Sequence, residues 1–209
     1  MEGITDEPQR QRFEQGYRLV AGCIPYRLKK GGSTPHAVVD NVRILMISSL
    51  NGHGLVFPKG GWEFDETVED AACREAAEEA GVRGQIKEEL GHWIFASKRH
   101  DMVCTKGNCK AYMFALEVTQ ELETWPEQEA RRRQWFTIAT AIEKVRHAWM
   151  REALEKCREY LQQQIRDQLQ PTPTERDASN KCNIMERLKQ AGHPDPMLDL
   201  VEVVACIVN

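Results

Sequence analysis

The 209-residue sequence predicts an α/β domain with extensions at both ends. Segments rich in β-branched and aliphatic residues alternate along the chain with segments whose apolar residues recur every three or four positions. A content of 41% hydrophobic and 29% charged residues suits a chain that buries one ordinary core. No internal repeat interrupts the alternation.

The elements follow in order. "YRLVAGCIPYRL" (17–28) and "VRILMIS" (42–48) read as strands, separated by a loop marked by Gly, Ser and Pro. "GLVFP" (54–58) is a third, short strand that stops at Pro58, and "KGG" (59–61) reads as a sharp turn because Gly60 and Gly61 tolerate positive φ. Thr67 and Asp70 have the form of a capping box, so a helix is expected from Val68 to Ala80 with Gly81 as its stop. "LGHWIFASK" (90–98), "CKAYMFALEV" (109–118) and "RRRQWFT" (131–137) read as further strands, with the "EEL" and "QELETWPEQE" acids in solvated loops. From Ala139 to about Gln168 one helix is expected, since Ile142, Val145, Trp149, Ala153, Leu154, Cys157 and Leu161 keep helical spacing. "PTPTERDASN" (171–180) reads as a linker, followed by a candidate helix at 181–191 and the apolar end "LVEVVACIV".

The chemistry concentrates on the helix at 68–80. Val68, Ala71, Ala72, Ala76 and Ala80 form a thin stripe of small residues suited to close packing on a sheet, and Glu75, Glu78 and Glu79 stand at i, i+3 and i+4. Carboxylates so spaced share one surface and repel one another. A solvated acidic face is the plain explanation; a hard cation, Mg²⁺, Mn²⁺ or Ca²⁺, is the other, and Mg²⁺ shares its shell between carboxylates and substrate phosphates.

Counted from Gly60, the segment runs Gly, five residues, Glu66, seven residues, then Arg74-Glu75-Ala76-x-Glu78-Glu79-x-Gly81-Val82. This resembles the Nudix box at every charged and glycine position, with Ala76 standing where a bulky aliphatic residue is usual. The resemblance implies the Nudix fold, an α/β/α sandwich with a mixed β-sheet, over roughly residues 16–165, and hydrolysis of a pyrophosphate linkage by water and a divalent metal, Mg²⁺ or Mn²⁺. It divides the chain into an N-terminal extension (1–15), a Nudix hydrolase domain (16–168) and a linker with a C-terminal tail (169–209). It further implies that Glu75 and Glu79 are metal ligands, that Glu78 is a ligand or the base, and that a carbonyl of Lys59 or Gly60 completes the shell. Arg74 would orient the glutamates, and Glu66 would be a secondary ligand or the charge partner of Arg74.

Substrate choice lies outside the box. The Ser-Gln-Pro-Trp-Pro-Phe-Pro motif of NADH-splitting members is missing from the chain. "FPKGGWEFDETVEDAACREAAEEAGV" and "CKAYMFALEV…WPEQEARRRQWF" resemble the diphosphoinositol polyphosphate phosphohydrolase branch, particularly its plant-type members, which also act on diadenosine polyphosphates. Such polyanions call for cations: Lys59; Lys98, Arg99 and His100; Lys106 and Lys110; and Arg131, Arg132 and Arg133. Arg18, Ser48 and Ser49 align with substrate-side segments of that branch, and His53 is the candidate where the branch often has another basic residue. Trp93, Trp135 and Trp149 read as core, while Trp62 is left open between packing and substrate. Alternatives are a Nudix hydrolase of ADP-ribose, nucleotide sugars or capped RNA, and a non-catalytic Nudix-fold binding module.

A net charge of −4 gives no general attraction to nucleic acid or membrane, so a small phosphate compound is the expected partner. No apolar run approaches the length of a membrane span, and "MEGITDEPQRQRFEQ" lacks the character of a leader, so the mature chain is expected to start there. Seven scattered cysteines suit reduced thiols, and the expected setting is cytoplasm or nucleus, with organelle targeting left open. Cys104 and Cys109 lack a second ligand pair at zinc spacing.

Overall fold

The computed structural model describes residues 10–28, 41–50, 54–96 and 107–169. The chain divides into two compact units, Met1–Ile165 and Arg166–Asn209, and the sheet lies in the first. The strands are β1 (Phe13–Glu14), β2 (Tyr17–Leu28), β3 (Val42–Ser48), β4 (Leu55–Val56), β5 (Lys59–Gly61), β6 (Val82–Ala96), β7 (Asn108–Glu121) and β8 (Arg133–Phe136). The helices are α1 (Val68–Ala80), α2 (Ile138–Lys144) and α3 (Ala148–Leu169).

These strands make one mixed sheet organised around β2. β2 runs parallel to β7 along Arg18–Tyr26, and its other edge is shared: Val20–Gly22 pairs with β5 and Tyr26–Leu28 with β3, both antiparallel. β6 extends the sheet beyond β7, while β4 and β8 both pair with β3. Ile44, Leu45, Met46 and Ile47 of β3 are all fully buried, the continuous apolar run of a strand covered on both faces. With Ile24, Phe57, Met113 and Leu116 they make the middle of the core, each such side chain contributing about 1.5–3 kcal/mol by leaving water.

α1 begins and ends where its capping residues predict. The Thr67 hydroxyl accepts from the Asp70 backbone N–H and donates to the Asp70 carboxylate, and Gly81 closes the helix at φ 61°, the left-handed geometry that costs a glycine little. Ala71, Ala72, Ala76 and Ala80 are wholly buried. Ala76, the departure from the family pattern, therefore lies on the buried face of the helix.

Three readings are corrected. "KGG" is a strand rather than a turn: Lys59 and Gly60 pair with Gly22 and Ala21 of β2. β6 starts directly after Gly81 and runs through Glu88–Leu90, where a solvated loop is expected; the two glutamates are solvated, but on a strand whose bulges between Ile86 and Glu88 and between Glu89 and Gly91 break the alternation. The expected long helix is two, because Val145 is extended, bridges Leu55, and is followed by Arg146 N–H donating to the Leu55 carbonyl. The linker, the 181–191 helix and the apolar tail lie outside the described residues.

Candidate active site

β5, the loop before α1 and the second half of α1 bring the box residues together around one guanidinium. Arg74 donates through Nε and Nη2 to both carboxylate oxygens of Glu66 (3.0 and 2.8 Å), through Nη2 to the Gly61 carbonyl (2.8 Å), and through Nη1 to Glu75 (2.8 Å) and Glu78 (3.2 Å). Glu66 also accepts from the Glu63 backbone N–H, and its bonds to Arg74 hold its carboxyl below the usual range. Glu66 contacts Arg74 through both oxygens, the geometry of a charge partner. The box arginine thus ties the loop before α1 to the face that carries the glutamates.

That loop is held from its far side by residues 10–12, which the sequence sets apart as an extension. Arg12 donates to the carbonyls of Glu63, Phe64 and Glu66 and lies 4.5 Å over the Trp62 ring. Gln11 donates to the Leu19 and Trp62 carbonyls and accepts from Arg18 Nε at 2.9 Å. Trp62, left open by the sequence, packs edge-on against Tyr112 and donates from Nε1 to the Glu66 carbonyl, so it builds the loop.

Glu75 and Glu79 are only 8% and 5% exposed. Burial, reinforced by Glu79, pushes the Glu75 carboxyl up to about 7, and burial raises Glu79 as well. Both therefore resist ionisation unless a cation faces them. Glu79 faces one: the buried Arg131 pairs with one of its oxygens, and the other accepts from the neutral Lys59 backbone N–H at 2.9 Å. Arg131 also holds Glu127 at 2.5 Å. Lys59 is half-buried, and loss of hydration lowers its pKa. Glu78 is the most open of the three, its side chain 42% exposed.

Among the described residues no three His, Cys, Asp or Glu side chains stand as a ready-made metal cage, and Arg74 and Arg131 engage the α1 carboxylates. The donor set nevertheless fits a hard divalent cation: oxygens only, at helical spacing, with two of them buried. Gly60 supports the fit, since a Cβ there would overlap the Glu75 carboxylate.

A cleft of about 570 Å³ opens over these groups. Of the residues singled out in the sequence, Arg18, Ser49, Lys59, Gly60, Arg74, Glu75, Glu78, Glu79 and Arg131 line it. Ser48 does not; its hydroxyl accepts from the Arg132 backbone N–H. Arg133, expected at the substrate rim, is turned to the carbonyls of Ala80, Gly81 and Leu122 and stacks 4.2 Å over Trp125, so it caps the C-terminus of α1. Lys110 pairs with Glu14. Lys98, Arg99, His100, Lys106 and His53 lie outside the described residues. Gln11, Phe95, Glu127, Arg146, His147 and Trp149 also line the cleft; Glu127, expected in a solvated loop, is instead paired with Arg131, Trp149 is expected in the core, and no motif marks the others. Their only shared signal is tertiary.

The model of the NUDIX domain matches residues 32–157. The chain belongs to the Nudix hydrolases. Nudix hydrolase 16, mitochondrial, of Arabidopsis thaliana is 56% identical over 149 residues, covering 69% of this chain and 81% of that protein. Diphosphoinositol polyphosphate phosphohydrolase 3-alpha of Mus musculus is 31% identical over 130 residues, covering 61% of this chain and 69% of that protein. The crystal structure of a Nudix hydrolase from M. smegmatis shares the fold at a TM-score of 0.50 and 18% identity, covering 72% of this chain and 89% of that one. The cytoplasmic or nuclear expectation is corrected by the relatives: Nudix hydrolases 12, 13, 17 and 18 of Arabidopsis thaliana are named mitochondrial, as is Nudix hydrolase 16, and these names point to an organelle. No helix among the described residues is long and apolar enough to cross a membrane.

Proposed function

We propose that this Nudix hydrolase cleaves a pyrophosphate linkage in diphosphoinositol polyphosphates or diadenosine polyphosphates, with Mg²⁺ or Mn²⁺ held by Glu75 and Glu79 and with Glu78 as the base. The observation that carries the proposal is the meeting in one cleft of buried carboxylates with raised pKa and the cations Arg18, Lys59 and Arg131. A bound divalent ion lowers the pKa of its water and takes up charge on the leaving phosphate.

The protein's own groups divide the remaining work. Arg74 fixes the rotamers of Glu75 and Glu78 from one side, and Glu66 fixes Arg74. Glu78, the more exposed carboxylate, is free to take a proton from water. Lys59 and Arg18 stand on the cleft wall where they can clamp phosphate oxygens. The name of the mouse relative supports the inositol arm, and the resemblance to plant-type members supports the diadenosine arm.

The test is a panel: a diphosphoinositol polyphosphate, diadenosine penta- and hexaphosphate, ADP-ribose, a nucleotide sugar and capped RNA, each with Mg²⁺ and with Mn²⁺, with products identified by ³¹P NMR. The highest kcat/KM is expected for one of the first two classes. A preference for ADP-ribose, a nucleotide sugar or capped RNA would replace the substrate assignment, and no turnover of any would favour a binding module.

A further inference from the structure

The floor of the cleft changes character across the sheet. Gly61 pairs with Val20, Arg18 with Cys109, and Cys109 with Phe95. Val20 and Arg18, two residues apart, share one face of β2, so the rows from β5 through β2 and β7 to β6 lead from the Arg74–Glu75 cluster to an aromatic ring over three strand spacings, roughly 14 Å. Arg18, Val20, Cys109 and Phe95 all line the cleft, so this row faces it. Past Arg18 the row turns apolar: Val20, Cys109 and Ala111 cluster with Phe95 and Trp149. The Phe95 and Trp149 rings stack at 4.9 Å and 14°. Trp93 extends them, 6.4 Å from Trp149 and anchored to α3 by its Nε1 donating to Glu152.

Both stacked rings are half-buried and border the cleft. A wall of this kind does nothing for a compact ring bearing phosphates on every side, whose charges would lose hydration against it. It suits a flat, weakly polar π-face joined by a short spacer to a phosphate chain, because a nucleobase stacks on an aromatic side chain whatever its identity. We propose that the Phe95–Trp149 pair is the base-binding end of the cleft, and that the substrate is a nucleoside whose polyphosphate runs along Arg18 and Lys59 toward α1. This rests on the pyrophosphate reading above and selects the dinucleoside polyphosphate within it.

The full-length protein is titrated calorimetrically, in Mg²⁺, with α,β-methylene-ADP and with methylenediphosphonate, which carry the same uncleavable P–C–P group with and without adenosine. Wild-type protein is expected to bind the nucleotide about tenfold tighter or more. Trp149→Ala and Phe95→Leu should each lose most of that margin yet bind methylenediphosphonate as before, which also shows that the variant is folded. Trp149→Phe, keeping a ring, should keep the margin. If Trp149→Ala loses both ligands through misfolding, Phe95→Leu and Trp149→Phe decide. Equal wild-type affinity for the two probes, or a margin untouched by the truncations, overturns the assignment and leaves the pair as packing. Failure of wild-type protein to bind methylenediphosphonate would instead overturn the pyrophosphate reading beneath it.

Discussion

Arg131 shows how far a residue's place depends on tertiary structure rather than on its neighbours in the chain. In "RRRQWF" the three arginines are equivalent by eye, yet Arg131 is 7% exposed and paired with Glu79 and Glu127, Arg132 is exposed, and Arg133 caps α1. Removing one partner of a buried pair leaves the other charge uncompensated, at a cost of about 3–5 kcal/mol. Arg131→Ala should therefore lower the thermal midpoint of the metal-free protein by several degrees, measured by calorimetry, with less loss in Arg131→Ala/Glu79→Gln. Glu75 makes a pH-dependent claim. Its carboxyl stands at about 7 in the fold against an ordinary 4.5, so the fold favours the neutral form. The stability this lends is full below about 4.5 and is lost as pH rises through 7. Metal-free Glu75→Gln, permanently neutral, should thus gain on wild type between pH 5 and pH 8 in urea melts; a constant difference would refute the shift.

At the level of elements, β5 is the piece on which the site depends and which the sequence conceals. Two glycines after a proline read as a turn because their conformational freedom is visible and their pairing with β2 is not. The missing side chain at Gly60 leaves the space that the Glu75 carboxylate fills. Gly60→Ala should displace that carboxylate, cutting turnover at least about tenfold while costing only about 1–3 kcal/mol of stability; unchanged kcat would show that the approach of strand and carboxylate is incidental. α1, by contrast, is legible to the residue, since Thr67 and Gly81 mark its ends chemically and its glutamates need only helical spacing to share a face. The break between α2 and α3 is hidden because Ile142, Val145 and Trp149 keep a helical period straight through it. Phe95 stands about fifty residues from Arg146 and His147 in the chain and meets them only once the sheet is assembled, so no local pattern could reveal the three together.

For the whole molecule, a net charge of −4 means that any affinity for a polyanion is made locally, by cations set into one cleft among carboxylates that need a metal ion before they can ionise cheaply. Residues 10–12 belong to that construction, since Gln11 and Arg12 clasp the loop bearing Glu66 and reach Arg18 on the cleft wall. The fold is shared widely among Nudix hydrolases, and the central claim is narrower: that the open carboxylate of α1 turns over a pyrophosphate bond only together with a divalent ion. The direct measurement is the initial rate of diadenosine pentaphosphate cleavage by wild type and Glu78→Gln, each with Mg²⁺, with excess EDTA, and with Mg²⁺ restored. Wild type should be active, silent and active again, while Glu78→Gln, whose side chain is 42% exposed and whose melting should match wild type, should fall by about a hundredfold or more. Wild-type rates in Glu78→Gln, or hydrolysis that persists in EDTA, would contradict it.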